Sequence, residues 1–121
     1  VIFSSDNGPE ITTTYHMRED QGHDPARPWR GMKRDQWEGG HRVPMIVRWP
    51  KEVAAGTWSD SVSHIIDFQP TLMKIAGLDP FKDIPKGELP LDGENILPAF
   101  KGENFKREKP IFIEWNGNKA G

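Results

Sequence analysis

Three short stretches carry side chains whose types and spacing suit ion chemistry. Asp6 and Asn7 are neighbours in Ser5-Asp6-Asn7-Gly8-Pro9, just after the apolar run Val1-Ile2-Phe3. A carboxylate and a carboxamide oxygen at the carboxyl end of a buried strand suit a hard divalent cation such as Ca²⁺, which prefers oxygen donors. Ca²⁺ takes about six to eight ligands, so other segments must contribute if this pair grips one. The simpler reading of the same residues is a tight turn, because Asn-Gly readily adopts positive φ. Lys33, in Arg30-Gly31-Met32-Lys33, offers a point charge on a flexible stem to an anionic oxygen, and Gly31 lets the backbone approach a ligand closely. The ordinary alternative is one solvated cation among 16 basic residues. Trp37-Glu38-Gly39-Gly40-His41-Arg42-Val43-Pro44 mixes an aromatic, charges and two glycines, which by itself reads as a tight bend.

These groups need elements to hold them. Val1–Phe3 reads as a buried strand, short and continuously apolar, running into the polar turn at Ser4–Pro9. From Glu10 to about Arg30 no period of 2 or 3.6 persists and Asp24-Pro25 and Arg27-Pro28 act as breakers, so a long irregular loop is expected. Gly39-Gly40 makes a flexible corner before a second strand over Val43–Trp49, stopped by Pro50, with Pro44 near its start or on an edge. Asp67 is the expected N-cap of a helix ending at Ala76, since Phe68, Leu72, Ile75 and Ala76 share a face, Pro70 fits the first turn and Gly77 follows the end. A shorter helix is expected over about Glu94–Phe100, burying Ile96, Leu97 and Phe100 and ending at Gly102. Lys82–Leu91, with Pro85, Gly87 and Pro90, is linker-like. Ile111–Trp115 is a last strand, and no internal repeat is present.

The 121 residues suit one small domain or a piece of a larger one. With 12 Gly, 11 Pro and a mean hydropathy of -0.71, loops must occupy much of the chain, while five Trp and six Phe supply a modest core and argue against wholesale disorder. A net charge of -2 gives no electrostatic footprint for nucleic acid. Cys is absent, which excludes a disulfide framework, a thiolate metal site and a cysteine nucleophile within these residues. No apolar run approaches the ~18–20 residues that span a bilayer, and none of these runs follows a charged stretch in the way a leader would. The apolar runs at both ends suggest a chain cut from a longer one.

In combination the motifs say more. Ser5-Asp6-Asn7-Gly8-Pro9, then Gly31-Met32-Lys33, then the run from Trp37-Glu38-Gly39-Gly40 to Val47-Arg48-Trp49-Pro50, closely resemble the back half of the sulfatase family, in its arylsulfatase-like branch. Ser63-His64-Ile65-Ile66-Asp67-Phe68-Gln69-Pro70-Thr71-Leu72 with Ala76-Gly77 resembles the family's helix signature, and Leu91-Asp92-Gly93 with Leu97-Pro98 and Gly102 its next one. The order and spacing match over nearly the whole chain.

The resemblance implies an α/β hydrolase of sulfate esters in the alkaline phosphatase superfamily, using Ca²⁺ and a formylglycine made from Cys or Ser. Asp6 and Asn7 match the late Asp-Asn metal ligands, and Lys33 matches the lysine that contacts the substrate sulfate. The cation would act as a Lewis acid on sulfate oxygens and the lysine would stabilise charge developing in the transition state. Glu38, His41 and Arg42 lie in the matching loop and are expected to pair charges and shape the bend rather than catalyse. The family's nucleophile motif, Cys or Ser followed by x-Pro-x-Arg, is absent. His23-Asp24-Pro25-Ala26-Arg27 keeps the Pro and Arg but has His in the nucleophile slot, and it follows the Asp-Asn pair where the family's motif precedes it. The early acidic ligands and the upstream catalytic Lys and His are missing too. His16, His23 and His64 match no family position and read as loop or surface residues.

The expected fold is therefore a partial alkaline-phosphatase-like fold, the edge of a large mixed and largely parallel sheet over residues 1–80, followed over 81–121 by the start of a small antiparallel C-terminal subdomain. The expected function is that of a carboxyl-side piece of a sulfatase, inactive alone, acting on a small sulfate ester or sulfated glycan. Two alternatives share the same groups: a non-catalytic module for a divalent cation or sulfated glycan, and a phosphodiesterase or phosphonate hydrolase of the same superfamily. Resemblance points to the periplasm, the lysosome or secretion.

Overall fold

The apolar run at the start forms β1, Ile2–Ser4, which pairs antiparallel with β2, Met45–Val47, in the register Ile2↔Val47, Phe3↔Ile46 and Ser4↔Met45. Both strands fall where the apolar runs lie, but the parallel edge expected there is not what forms. Nor is β1 buried: Phe3 is 63% exposed and Ile46, opposite it, 62%. The pair is a two-stranded sheet, and the face that carries Phe3 and Ile46 is exposed. The computed structural model describes residues 1–115 and 118–120. They fall into two units, one of Val1–Val47 with the described residues from Phe112 onward, the other Arg48–Ile111.

In the first unit, the expected loop after Pro9 contains α1, Ile11–Gln21, closed by Gly22 at φ 62, whose N–H donates to the Arg18 carbonyl at 3.2 Å. Only Thr14 is buried along it. A helix with one small buried residue has no apolar stripe, which is why a periodicity search passes over it. The segment after α1 is a turn organised by Asp24, which takes the Arg18 guanidinium at 2.9 Å and the Ala26 N–H at 3.0 Å. Gly39-Gly40, expected as a flexible corner, sits instead in a single helical turn, α2, Glu38–His41, and both glycines are buried. β3, Ile113–Trp115, pairs antiparallel with β4, Asn118–Ala120.

In the second unit a 3₁₀ turn, Ile65–Asp67, leads into α3, Phe68–Ile75, and α4 spans Leu97–Phe100. The short core here uses Ile96, Ala99 and Phe100. α3 does not bury the Phe68–Leu72–Ile75 face that its spacing suggests: Leu72 is 50% exposed, and the buried residues are Pro70 and Thr71. Polar satisfaction explains the rotation. The Thr71 hydroxyl donates to the Asp67 carbonyl at 2.6 Å and accepts the Ile96 N–H at 2.9 Å, while the Asp67 carboxylate accepts N–H groups from His64 at 2.7 Å and Glu94 at 2.8 Å and meets the Arg107 guanidinium. Asp67 is thus a fully buried acceptor that binds three segments together, and no side-chain capping bond from it to α3 forms. The capping is done one turn earlier by His64, whose ring accepts the Ile66 N–H at 3.5 Å. No described helix is long and apolar enough to cross a membrane.

Candidate functional site

The turn after β1 is built by its own side chains. The Ser5 hydroxyl donates to the Asn7 carbonyl at 2.9 Å, and the Asn7 amide nitrogen donates to the Gly8 carbonyl at 3.0 Å. With the nitrogen used locally, the Asn7 carboxamide oxygen is the face left for a ligand. Asp6 is exposed, and its carboxylate has no hydrogen bond or ion pair among the described residues.

Backbone contacts fix this turn against the two later motifs. The Gly8 N–H donates to the Gly40 carbonyl at 2.8 Å, and the Lys33 N–H donates to the Pro9 carbonyl at 3.0 Å. These approaches demand glycine. A Cβ on Gly8 would collide with the Gly39 carbonyl, one on Gly39 with the carbonyls of Gly31 and Arg30, and one on Gly40 with that of Asp35. Three stretches separated in sequence are in this way locked main chain to main chain.

Lys33 lies at the second position of a turn closed by the Asp35 N–H donating to the Met32 carbonyl at 2.9 Å; the Asp35 carboxylate returns a bond to the Met32 N–H, also at 2.9 Å. Arg34, at the third position, has φ 76, as a type II turn requires there, which costs a side-chain-bearing residue on the order of 1 kcal/mol. The turn thereby brings two adjacent cations to Glu10. The Glu10 carboxylate receives Arg34 Nη1 at 3.0 and 3.3 Å and lies 3.5 Å from Lys33 Nζ. The Arg34 hydrogen bond, outweighing desolvation, holds the Glu10 carboxyl below its ordinary value, with a smaller contribution from Lys33.

Asn7 and Lys33 line one cavity of about 320 Å³, together with Arg34, Asp35, Gly40, His41, Ile113 and Glu114. Asp6 precedes this lining rather than joining it. His41 is held by Nε2–H donating to the Gln36 carbonyl at 3.1 Å. Glu38 and Arg42 pair at 3.0 Å, and the Arg42 guanidinium lies 4.0 Å from the Trp29 ring, so both shape the rim of the bend. His16 and His23 are exposed. Glu10, Arg34, Asp35 and Glu114 were not singled out by sequence; for the first two, adjacency to Pro9 and to Lys33 is the signal.

Asp6 and Asn7 supply two oxygen donors of the type Ca²⁺ takes, which fits part of a site. Among the described residues no group of three His, Cys, Asp or Glu gathers to complete one. With two donors present, a metal there needs ligands from elsewhere.

Comparison with known proteins bears on the same residues. The family model described as Sulfatase matches residues 1–78. The chain is 32% identical over 115 residues to steryl-sulfatase of Mus musculus, covering 95% of this chain and 18% of that protein. It is 34% identical over 119 residues to N-acetylgalactosamine-6-sulfatase of Mus musculus, covering 98% and 20%, and 33% identical over 122 residues to arylsulfatase H of Homo sapiens, covering 97% and 20%. The chain spans about a fifth of the length of the curated relatives it matches.

Proposed function

The chain belongs to the sulfatase family, and from that premise we propose that it contributes part of the metal and sulfate site of a sulfuric ester hydrolase with an alkaline-phosphatase-like fold. The observation that carries this reading is the shared cavity: Asn7 and Lys33, 26 positions apart by their residue numbers, line it together, on a backbone clasped at Gly8–Gly40 and Pro9–Lys33.

In this reading Asp6 and Asn7 would hold a Ca²⁺ through the carboxylate and the carboxamide oxygen, with the remaining ligands supplied from elsewhere. When bound, the cation polarises sulfate oxygens as a Lewis acid. Lys33 donates to a sulfate oxygen and stabilises the negative charge that grows as the ester bond breaks. The clasp fixes the main chain that carries Asn7 and Lys33 before substrate arrives, so the carboxamide dipole and the ammonium charge need little reorganisation during the reaction. The absence of Cys places a cysteine-derived formylglycine outside these 121 residues. Residues 1–80 belong in this reading to the catalytic α/β domain and 81–121 to the start of a C-terminal subdomain. Taken alone, residues 1–121 turn over no substrate.

The test uses the full-length protein and an aryl sulfate. Lys33→Ala is expected to lower kcat/KM by about 10²–10³, the usual effect of removing one charge-stabilising donor, and Asp6→Ala to weaken Ca²⁺ binding measured by calorimetry. Wild-type kcat/KM in Lys33→Ala overturns the reading. Tight Ca²⁺ binding with no turnover of any sulfate ester favours a binding module, and faster turnover of phosphodiesters or phosphonates than of sulfates favours that neighbouring chemistry.

A further inference from the structure

A lysine that must meet an anionic substrate is weakened if a carboxylate takes its charge. The Glu10 carboxylate stands close enough to Lys33 for that, yet its short hydrogen bonds go to Arg34. Arg34 Nη1 reaches both carboxylate oxygens, at 3.0 and 3.3 Å, whereas Lys33 Nζ stands at 3.5 Å, beyond ordinary hydrogen-bond length. The Lys33 ammonium is thus held by Glu10 through one long, weak contact, which leaves at least two of its three N–H donors for an anion. The arrangement is built by the backbone: the Pro9–Lys33 hydrogen bond places Glu10 beside the lysine, and the left-handed φ of Arg34 turns the second cation to the same carboxylate. Lys33 and Arg34 both line the cavity, where Asp35 already spends a carboxylate oxygen on the Met32 N–H.

We propose that Glu10 is a positioning residue for Lys33, and that Arg34 is the competing cation that keeps the carboxylate from closing on the lysine. The proposal rests on the reading that Lys33 meets the sulfate. Because a displaced ammonium loses transition-state contact more than ground-state binding, the effect should fall on kcat rather than on KM.

The experiment is a double-mutant cycle in the full-length protein, with kcat and KM measured on an aryl sulfate. Glu10→Gln is expected to lower kcat about tenfold while KM moves less than about threefold, as for a modest misplacement of a reacting group. Glu10→Asp should recover part of the loss. In the Lys33→Ala background, Glu10→Gln should change nothing further. An equal loss in both backgrounds, or wild-type kcat in Glu10→Gln, overturns the proposal while leaving the role of Lys33 intact. Wild-type kcat/KM in Lys33→Ala overturns the reading beneath it and the proposal with it. If Glu10→Gln does not accumulate as folded protein, Arg34→Gln serves instead. With its competitor gone the carboxylate closes on Lys33, and kcat should fall only where Lys33 is present; an unchanged kcat there overturns the proposal.

Discussion

The carboxylate of Asp67 meets the guanidinium of Arg107, 40 positions later, with the Asp67 side chain fully buried and that of Arg107 9% exposed. A charge taken out of water is tolerated only when its partners are in place, and removing one partner leaves the other stranded. Arg107→Met is therefore expected to destabilise the protein by about 3–5 kcal/mol in urea unfolding. A loss below about 1 kcal/mol would mean that this pair does not hold the 3₁₀ turn, the segment at Glu94 and the segment at Arg107 together.

The glycine contacts give a second expectation. A Cβ on Gly39 would run into two backbone carbonyls, which cannot swing aside as a side-chain tip can. Gly39→Ala should cost about 1–3 kcal/mol or prevent folding. Gly56 has φ 72 and open space around it, so Gly56→Asn should cost only the left-handed backbone strain, at most about 1 kcal/mol for Asn. Thermal melts of the two variants compare them directly, and equal melting temperatures would contradict the close approach.

Arg34 supplies a third, through its backbone. Replacing it with Ala loses the pair to Glu10 and keeps the left-handed strain, whereas Gly loses the pair and relieves the strain. Arg34→Gly should therefore be more stable than Arg34→Ala by about 1 kcal/mol. Equal stability of the two variants would argue that this position is not left-handed in solution.

Acid should act on the turn after α1. The Arg18 hydrogen bond holds the Asp24 carboxyl below its ordinary value of 3.8, against desolvation and with help from the Ala26 N–H. A carboxyl with its folded pKa depressed contributes stability that is complete above the ordinary value and disappears as pH falls through the folded one. The contribution of Asp24 should thus be constant near neutrality and vanish only below about pH 3.8. NMR titration of the Asp24 side chain should give a midpoint under that value, and Arg18→Gln should raise it. A midpoint at or above 3.8 in the wild type would refute the pairing.

The sequence displayed some of these elements and hid others for physical reasons. β1 and β2 announce themselves as apolar runs bounded by turn residues, and α3 and α4 end near the glycines that follow them. α1 was hidden because its helix has almost no buried face, so nothing periodic is written into Ile11–Gln21. Gly39 and Gly40 do not disclose their role in sequence, because glycine serves both a flexible corner and a close backbone contact, and only the partner carbonyls distinguish the two. In sequence Asp67 looks like the cap of α3, whereas its carboxylate accepts the His64 N–H of the preceding 3₁₀ turn and meets Arg107, too far along the chain for a local rule to connect. At the candidate site Asp6, Asn7 and Lys33 could be picked out by type and motif, whereas Glu10 and Arg34 become visible only when the Pro9–Lys33 bond folds one beside the other.

That same bond, joining Pro9 to Lys33, works like the pin of a brooch. Between its two ends, α1 and the turn at Asp24 are an ornament whose length the fastening does not register, whereas Glu10, Arg30 and Gly31 belong to the clasp. Insertions or deletions at the turn after α1 should therefore leave the pinned residues where they are.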